Sequence, residues 1–234
     1  MRSNNIIPIL MYHDVSNKKN NHSIYYENFF KQINFIKKLG YQSVNLCDLN
    51  KRSNKKKFVI TFDDGYENIY KYAFPFLKKN NLKATCFIVT KSIGKFNYWD
   101  KTKPHLKKKI MTLRQLKLWI EAGLEIGSHT SNHYNLCTIK VKKMTSEIIE
   151  PIIFFRKMDI NIKTFSYPFG KYNSEALKIV KKHYKFAVTT NRSRYKINNF
   201  KRNILPRIPI NYDTSLFKLF LKISTIYEDM KYNK

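Results

Sequence analysis

The feature that most constrains this chain is a repeated change of period. Short apolar runs with strand composition alternate with segments whose apolar residues return about every 3.6 positions, and the two patterns change places about seven times. The runs 6–12, 41–45, 58–62, 84–89, 124–127, 164–167, 186–189 and 203–207 read as strands. Helical periodicity predicts helices over Ser23–Lys38, Glu67–Lys79, Leu113–Ala122, Lys140–Met158 and Ser174–His183, with Ser23 and Thr112 as caps and Pro75 as a kink. Strands joined through helices run parallel and need cover on their outer face. The pattern therefore predicts an α/β fold, a barrel with a parallel sheet. Barrel enzymes carry their reactive side chains at the C-terminal ends of the strands.

Chemistry collects at those ends. The run KFVITFDDGY delivers Asp63 and Asp64 past a buried strand, where Gly65 lets the backbone turn sharply. Asp-Asp-Gly alone is also ordinary turn composition. A second junction, GLEIGSHTSNHYNL, changes the balance by supplying His129 and His133, which can face one ion if the segment makes a helical turn. One carboxylate and two imidazoles suit a catalytic zinc that keeps a position for water. The second carboxylate is then free to act as a base.

TFDDG at Thr61–Gly65, HTSNH at His129–His133 and SYPFG at Ser166–Gly170 together resemble the polysaccharide deacetylase family, the NodB-homology domain, from about Ile6 to Pro209. The resemblance implies a distorted (β/α)7-type barrel and hydrolysis of N-acetyl groups on N-acetylglucosamine-type sugars in a polysaccharide or glycan precursor. It implies Asp64, His129 and His133 as metal ligands and Asp63 as base. The ion expected is zinc, although two His and one Asp also accommodate cobalt, nickel or iron. A backbone N–H within Tyr167, Pro168 and Phe169 would stabilise the oxyanion. YHDV at Tyr12–Val15 resembles the poly-N-acetylglucosamine deacetylase subgroup, which makes His13 the general acid. Trp99 lines a sugar subsite or packs back onto the barrel. The chain departs from the family at Ser166, where many members carry an arginine that orients the base; Arg207, at a late strand end, is the substitute by position. His22, Asp100, His105 and His183 read as solvent or scaffold residues.

The 234 residues are read as one domain, with the motifs in about 6–209 and a C-terminal helix in 210–234. The apolar arc of 213–227 suits core or barrel-bottom packing better than a membrane surface. Formal charge is +29, from 45 basic and 16 acidic residues, which attracts anionic partners. Lysines outnumber arginines 37 to 8 and lie in scattered runs. No nucleic-acid signature accompanies them, so dedicated nucleic-acid binding is not expected, whereas peripheral contact with an anionic membrane is. Cys47, Cys86 and Cys137 make neither a disulfide framework nor a thiolate metal site. The N-terminal apolar run is short and broken by Pro8, so neither a signal peptide nor a membrane span is expected, and residence is cytoplasmic or at the inner membrane face. Nothing in the sequence sets an oligomeric state. Two alternatives remain beside the deacetylase: a weakly active or inactive barrel that binds carbohydrate or polyanion, and a hydrolase of another C–N bond.

Overall fold

The computed structural model describes residues 6–18, 23–99, 107–197 and 201–231, so His22, Asp100 and His105 lie outside the described residues. Eight parallel strands carry the fold. They are β1 (Ile9–Tyr12), β2 (Tyr41–Val44), β3 (Lys56–Phe62), β4 (Thr85–Ile88), β5 (Glu125–Ser128), β6 (Thr164–Ser166), β7 (Phe186–Arg192) and β8 (Leu205–Pro209). Seven of them close a barrel, because β1 pairs with both β3 and β8. β2 stands beside the lower part of β3, pairing Tyr41–Val44 with Lys56–Val59, and β4 takes over the same edge at Thr61 and Phe62. The fold is thus the seven-stranded α/β barrel of the NodB kind.

The two-residue period of β3 shows how the barrel is filled. Phe58, Ile60 and Phe62 face the helix layer, while Val59 turns inward with Ile9, Phe87, Phe186, Val188 and Leu205 to fill the lower interior. Thr61 and Asp63 continue the inward phase, so the interior becomes polar toward the C-terminal end. Low in the barrel, the buried Glu125 carboxylate accepts bonds from the Cys47 N–H at 3.0 Å, Thr85 Oγ1 at 2.7 Å and Thr164 Oγ1 at 2.8 Å. Burial pushes that carboxyl up, against those donors.

The helices are α1 (Tyr26–Lys38), α2 (Phe74–Lys79), α3 (Leu113–Glu121), α4 (Val141–Arg156), α5 (Ser174–His183) and α6 (Leu216–Ser224). The Thr112 cap is present, as a capping box with Gln115. Ser23 does not cap α1: its hydroxyl meets Ser16 Oγ at 2.7 Å, because Ile24–Tyr25 pairs with Val15–Ser16 before the helix starts. At Pro75 there is no simple kink. A π-helical turn over Ile69–Ala73 leads into α2, which fits the N–H that proline lacks. Pro8 splits the first predicted strand, so Ile6–Ile7 pairs antiparallel with Tyr195–Lys196 while β1 begins at Ile9. α6 packs against α1 rather than under the barrel, burying Leu219, Lys222 and Ile223. Among the described residues, no helix is long and apolar enough to cross a membrane.

Candidate active site

Asp63 leaves β3 with its N–H bonded to Tyr12 O at 3.0 Å, and the chain then turns through left-handed backbone at Asp64 (φ 70°) and Gly65 (φ 76°). The left-handed conformation favours glycine at Gly65, and a Cβ there would also push on the end of the Ile88 side chain, 2.7 Å away. This turn aims the adjacent carboxylates at different partners.

Asp63 is gripped by Arg207. Nη1 donates to Oδ1 at 2.8 Å and Nη2 to Oδ2 at 2.7 Å, a bidentate pair inside the barrel. The remaining guanidinium N–H groups reach Thr189 O at 2.8 Å, Thr61 Oγ1 at 3.2 Å and Ser166 Oγ at 3.2 Å. Ser166, the place where the family arginine is missing, therefore receives the arginine that arrives from β8. Burial opposes ionisation of Asp63, but the charge and hydrogen bonds of Arg207 outweigh it and hold the carboxyl well below the usual range. His13, half-exposed, brings Nε2 to 3.9 Å from Asp63 Oδ2.

Asp64 faces the two histidines. Its Oδ1 lies 3.6 Å from His129 Nε2 and 3.4 Å from His133 Nε2, and one ligand atom from each of the three residues falls within 4.8 Å of the others. His129 Nδ1 sits 2.7 Å from Ser166 O, which assigns the proton to Nδ1 and leaves the Nε2 lone pair facing Asp64. Burial pushes His129 and His133 down to about 4, so both are neutral, the form that binds metal. Burial likewise pushes the Asp64 carboxyl up. This donor set fits a divalent ion.

No helical turn joins the histidines. Left-handed backbone at Thr130 (φ 68°) and His133 (φ 58°) folds the segment instead, with the His133 N–H on Thr130 Oγ1 at 2.9 Å. Glu147 of α4 clamps this loop, accepting from the Asn132 N–H at 2.7 Å and Nδ2 at 2.6 Å. Sequence reading missed Glu147; the available signal was an acid at a buried phase of an amphipathic helix.

His133 is walled by aromatics. Trp99 stacks on it at 4.6 Å and Phe169 meets it edgewise at 4.8 Å. Phe169, also left-handed at φ 58°, is 54% exposed at the mouth. Tyr167 is turned away: its N–H bonds Val188 O at 3.2 Å and its hydroxyl bonds Asn203 O at 3.1 Å. Pro168 is buried and has no N–H. The Phe169 N–H is the donor this segment has to offer.

The sequence profile of the polysaccharide deacetylase family matches residues 50–186. YxkH of Bacillus subtilis is 35% identical over 192 residues, which is 79% of this chain and 64% of YxkH, so the chain spans less than two thirds of that relative. The poly-beta-1,6-N-acetyl-D-glucosamine N-deacetylase of Staphylococcus aureus is 29% identical over 237 aligned positions, covering 91% of this chain and 77% of the enzyme. Among solved structures, the deacetylase PplD of Streptococcus pyogenes, in complex with acetate, superposes with a TM-score of 0.79 at 28% identity, covering 94% of this chain and 98% of PplD. The chain belongs to the polysaccharide deacetylase family.

Proposed function

We propose that this protein is a metal-dependent hydrolase that removes N-acetyl groups from N-acetylglucosamine-type sugars in a polysaccharide or glycan precursor. One observation carries the reading: two consecutive carboxylates are given opposite surroundings, Asp63 bound to a guanidinium and Asp64 facing two neutral imidazoles. Adjacent acids with divergent environments suit divergent roles. Asp64, His129 and His133 would hold the ion, zinc by the donor set, with cobalt, nickel or iron also accommodated. When bound, such an ion polarises an amide oxygen and acidifies a water.

The chain's own residues do the rest. Asp63 is ionised throughout the neutral range, and Arg207 fixes both of its oxygens before substrate arrives. Its weak basicity matches a proton that is already acidic. As the water oxygen bonds to the acetamide carbon, Asp63 takes that proton. Negative charge growing on the amide oxygen meets the Phe169 N–H. His13, within ion-pair distance of Asp63, gives a proton to the nitrogen as the C–N bond breaks, which releases acetate and a free amine. Trp99 and Phe169 form the apolar wall beside His133 against which the acetylated sugar rests.

A peripheral contact with anionic membrane belongs to the same reading. It is supported by the charge of +29 and by Leu216, Phe217 and Phe220, which α6 leaves exposed.

The test is acetate release from N-acetylglucosamine oligomers by metal-stripped protein, before and after zinc is added, with Asp63→Asn in parallel. Zinc-dependent release that disappears in Asp63→Asn is expected. Stoichiometric zinc binding without release from any oligomer would overturn the N-acetylglucosamine reading and point to another C–N bond.

A further inference from the structure

We propose that a cavity at the N-terminal ends of the strands, away from the reacting centre, binds the phosphate group of a ligand. Its volume is about 570 Å³, and it lies where the 49–57 segment enters β3 and where Arg202 precedes β8. Lys57 and Asp63 share the inward phase of β3, six residues and about 20 Å apart. The cavity and the paired carboxylates therefore occupy opposite ends of the barrel.

Four cationic side chains are buried among the described residues, and three of them meet a carboxylate: Arg194 meets Asp229, Arg207 meets Asp63 and Lys222 meets Glu228. Lys57, which lines the cavity, is the exception. It is 9% exposed, and its Nζ donates to Leu49 O at 2.6 Å and Lys51 O at 2.7 Å, yet it forms no ion pair among the described residues. Outside the described residues the sequence holds one acidic residue, Asp100, and it follows directly on Trp99, which stacks on His133 at the other end of the barrel. A buried ammonium held by carbonyls alone keeps its charge uncompensated, and burial pushes Lys57 below its ordinary value. An anion in the adjoining cavity supplies the missing countercharge.

The rest of the lining selects phosphate. Arg52, Lys55 and Arg202 line the same cavity, are exposed, and form no ion pair among the described residues, whereas Lys51 is engaged with Asp48 at 2.9 Å. Like charges gathered around one cavity repel one another, so their convergence costs stability unless an anion joins them. A carboxylate is matched by one such partner. Two guanidinium forks and two ammoniums suit a group with more acceptor oxygens and up to two negative charges. Leu49, Tyr195 and Ile197 add an apolar side, which suits a phosphate borne on a carbon skeleton. A phospholipid headgroup and a soluble phosphate ester share this chemistry.

Calorimetric titration of the full chain with glycerol 1-phosphate tests the site. Arg52→Gln/Arg202→Gln is compared with Lys178→Gln/Lys182→Gln, which removes the same charge from exposed positions on α5, and both are checked for wild-type circular dichroism. Because Lys57 also ties down the 49–51 carbonyls, the arginine pair is the deciding variant. One molecule per chain is expected to bind, with Kd raised about tenfold in the arginine pair and nearly unchanged in the lysine pair. Phosphatidylglycerol vesicles then identify the source. A loss of vesicle binding in the arginine pair beyond that in the lysine pair assigns the site to a lipid headgroup, and equal losses assign it to a soluble phosphate ester. Glycerol 1-phosphate binding weaker than about 10 mM, or a change in Kd of the same size in both pairs, would overturn the proposal and reduce the cavity to part of a diffuse positive surface.

Discussion

Asp63 stands between a buried guanidinium and a half-exposed imidazole. Arg207 holds it by two hydrogen bonds inside the barrel, and His13 approaches it from the cleft. Removing only the guanidinium leaves a buried carboxylate without compensation, and breaking such a pair costs about 3–5 kcal/mol. Arg207→Met should therefore unfold at markedly lower urea and lose about 10²-fold in kcat, because the base is no longer aimed. Asp63→Asn/Arg207→Met, which removes both charges, should recover much of the lost stability and none of the activity. Urea midpoints for the two variants decide the matter; equal midpoints would mean that the pair contributes little. The two residues lie 144 positions apart, so no local pattern could join them. Position at a strand end was the only clue, and it sufficed because a closed barrel brings every such end to one rim. Ser166 was legible merely as an absence until the guanidinium from β8 was seen to occupy its surroundings.

At the scale of elements, strand and helix order was legible because each element repeats its period several times. What escaped were features set by single bonds. The π-turn before Pro75 depends on where one missing N–H falls, and the displaced start of α1 depends on a two-residue pairing of Val15–Ser16 with Ile24–Tyr25. The four-residue histidine spacing after β5 converges on one point if the segment makes a helical turn, yet left-handed backbone and the Glu147 clamp produce the same convergence. That loop buries two imidazoles in neutral form, which has a pH signature. Their ordinary value is about 6.5, and burial pushes both down to about 4. Between those values the unfolded chain binds more protons than the folded one, so stability rises with pH across the window and is fully present above it. Asp64 and Glu125, both pushed up by burial, act in the opposite sense just above the ordinary carboxylate range, so the histidine contribution is read in the upper part of the window. The urea midpoint of the metal-free protein should thus climb between about pH 4.5 and about pH 7. A flat midpoint would show that the histidines are not buried neutral when metal is absent.

Taken whole, the molecule separates a polar site that needs no net charge from a surface that carries a great deal of it. Among the described residues at the catalytic end, Arg207 and Lys108 are each paired with a carboxylate, within a chain of formal charge +29. The long-range effect of that charge is on association. α6 adds a second ingredient, since it buries Leu219 and Ile223 but leaves Phe217 72% exposed beside Leu216 and Phe220. Charge alone binds reversibly and is lost with salt, whereas an inserted aromatic holds on after screening. The two contributions can be separated on vesicles. Binding to phosphatidylglycerol vesicles and not to phosphatidylcholine is expected at low salt, weakening as salt rises. Phe217→Ser should lower the fraction that remains bound at high salt and leave low-salt binding nearly intact. Equal binding to neutral and anionic vesicles would remove the charge from the account, and no binding to either would confine the charge to solubility and to repulsion of the cationic product.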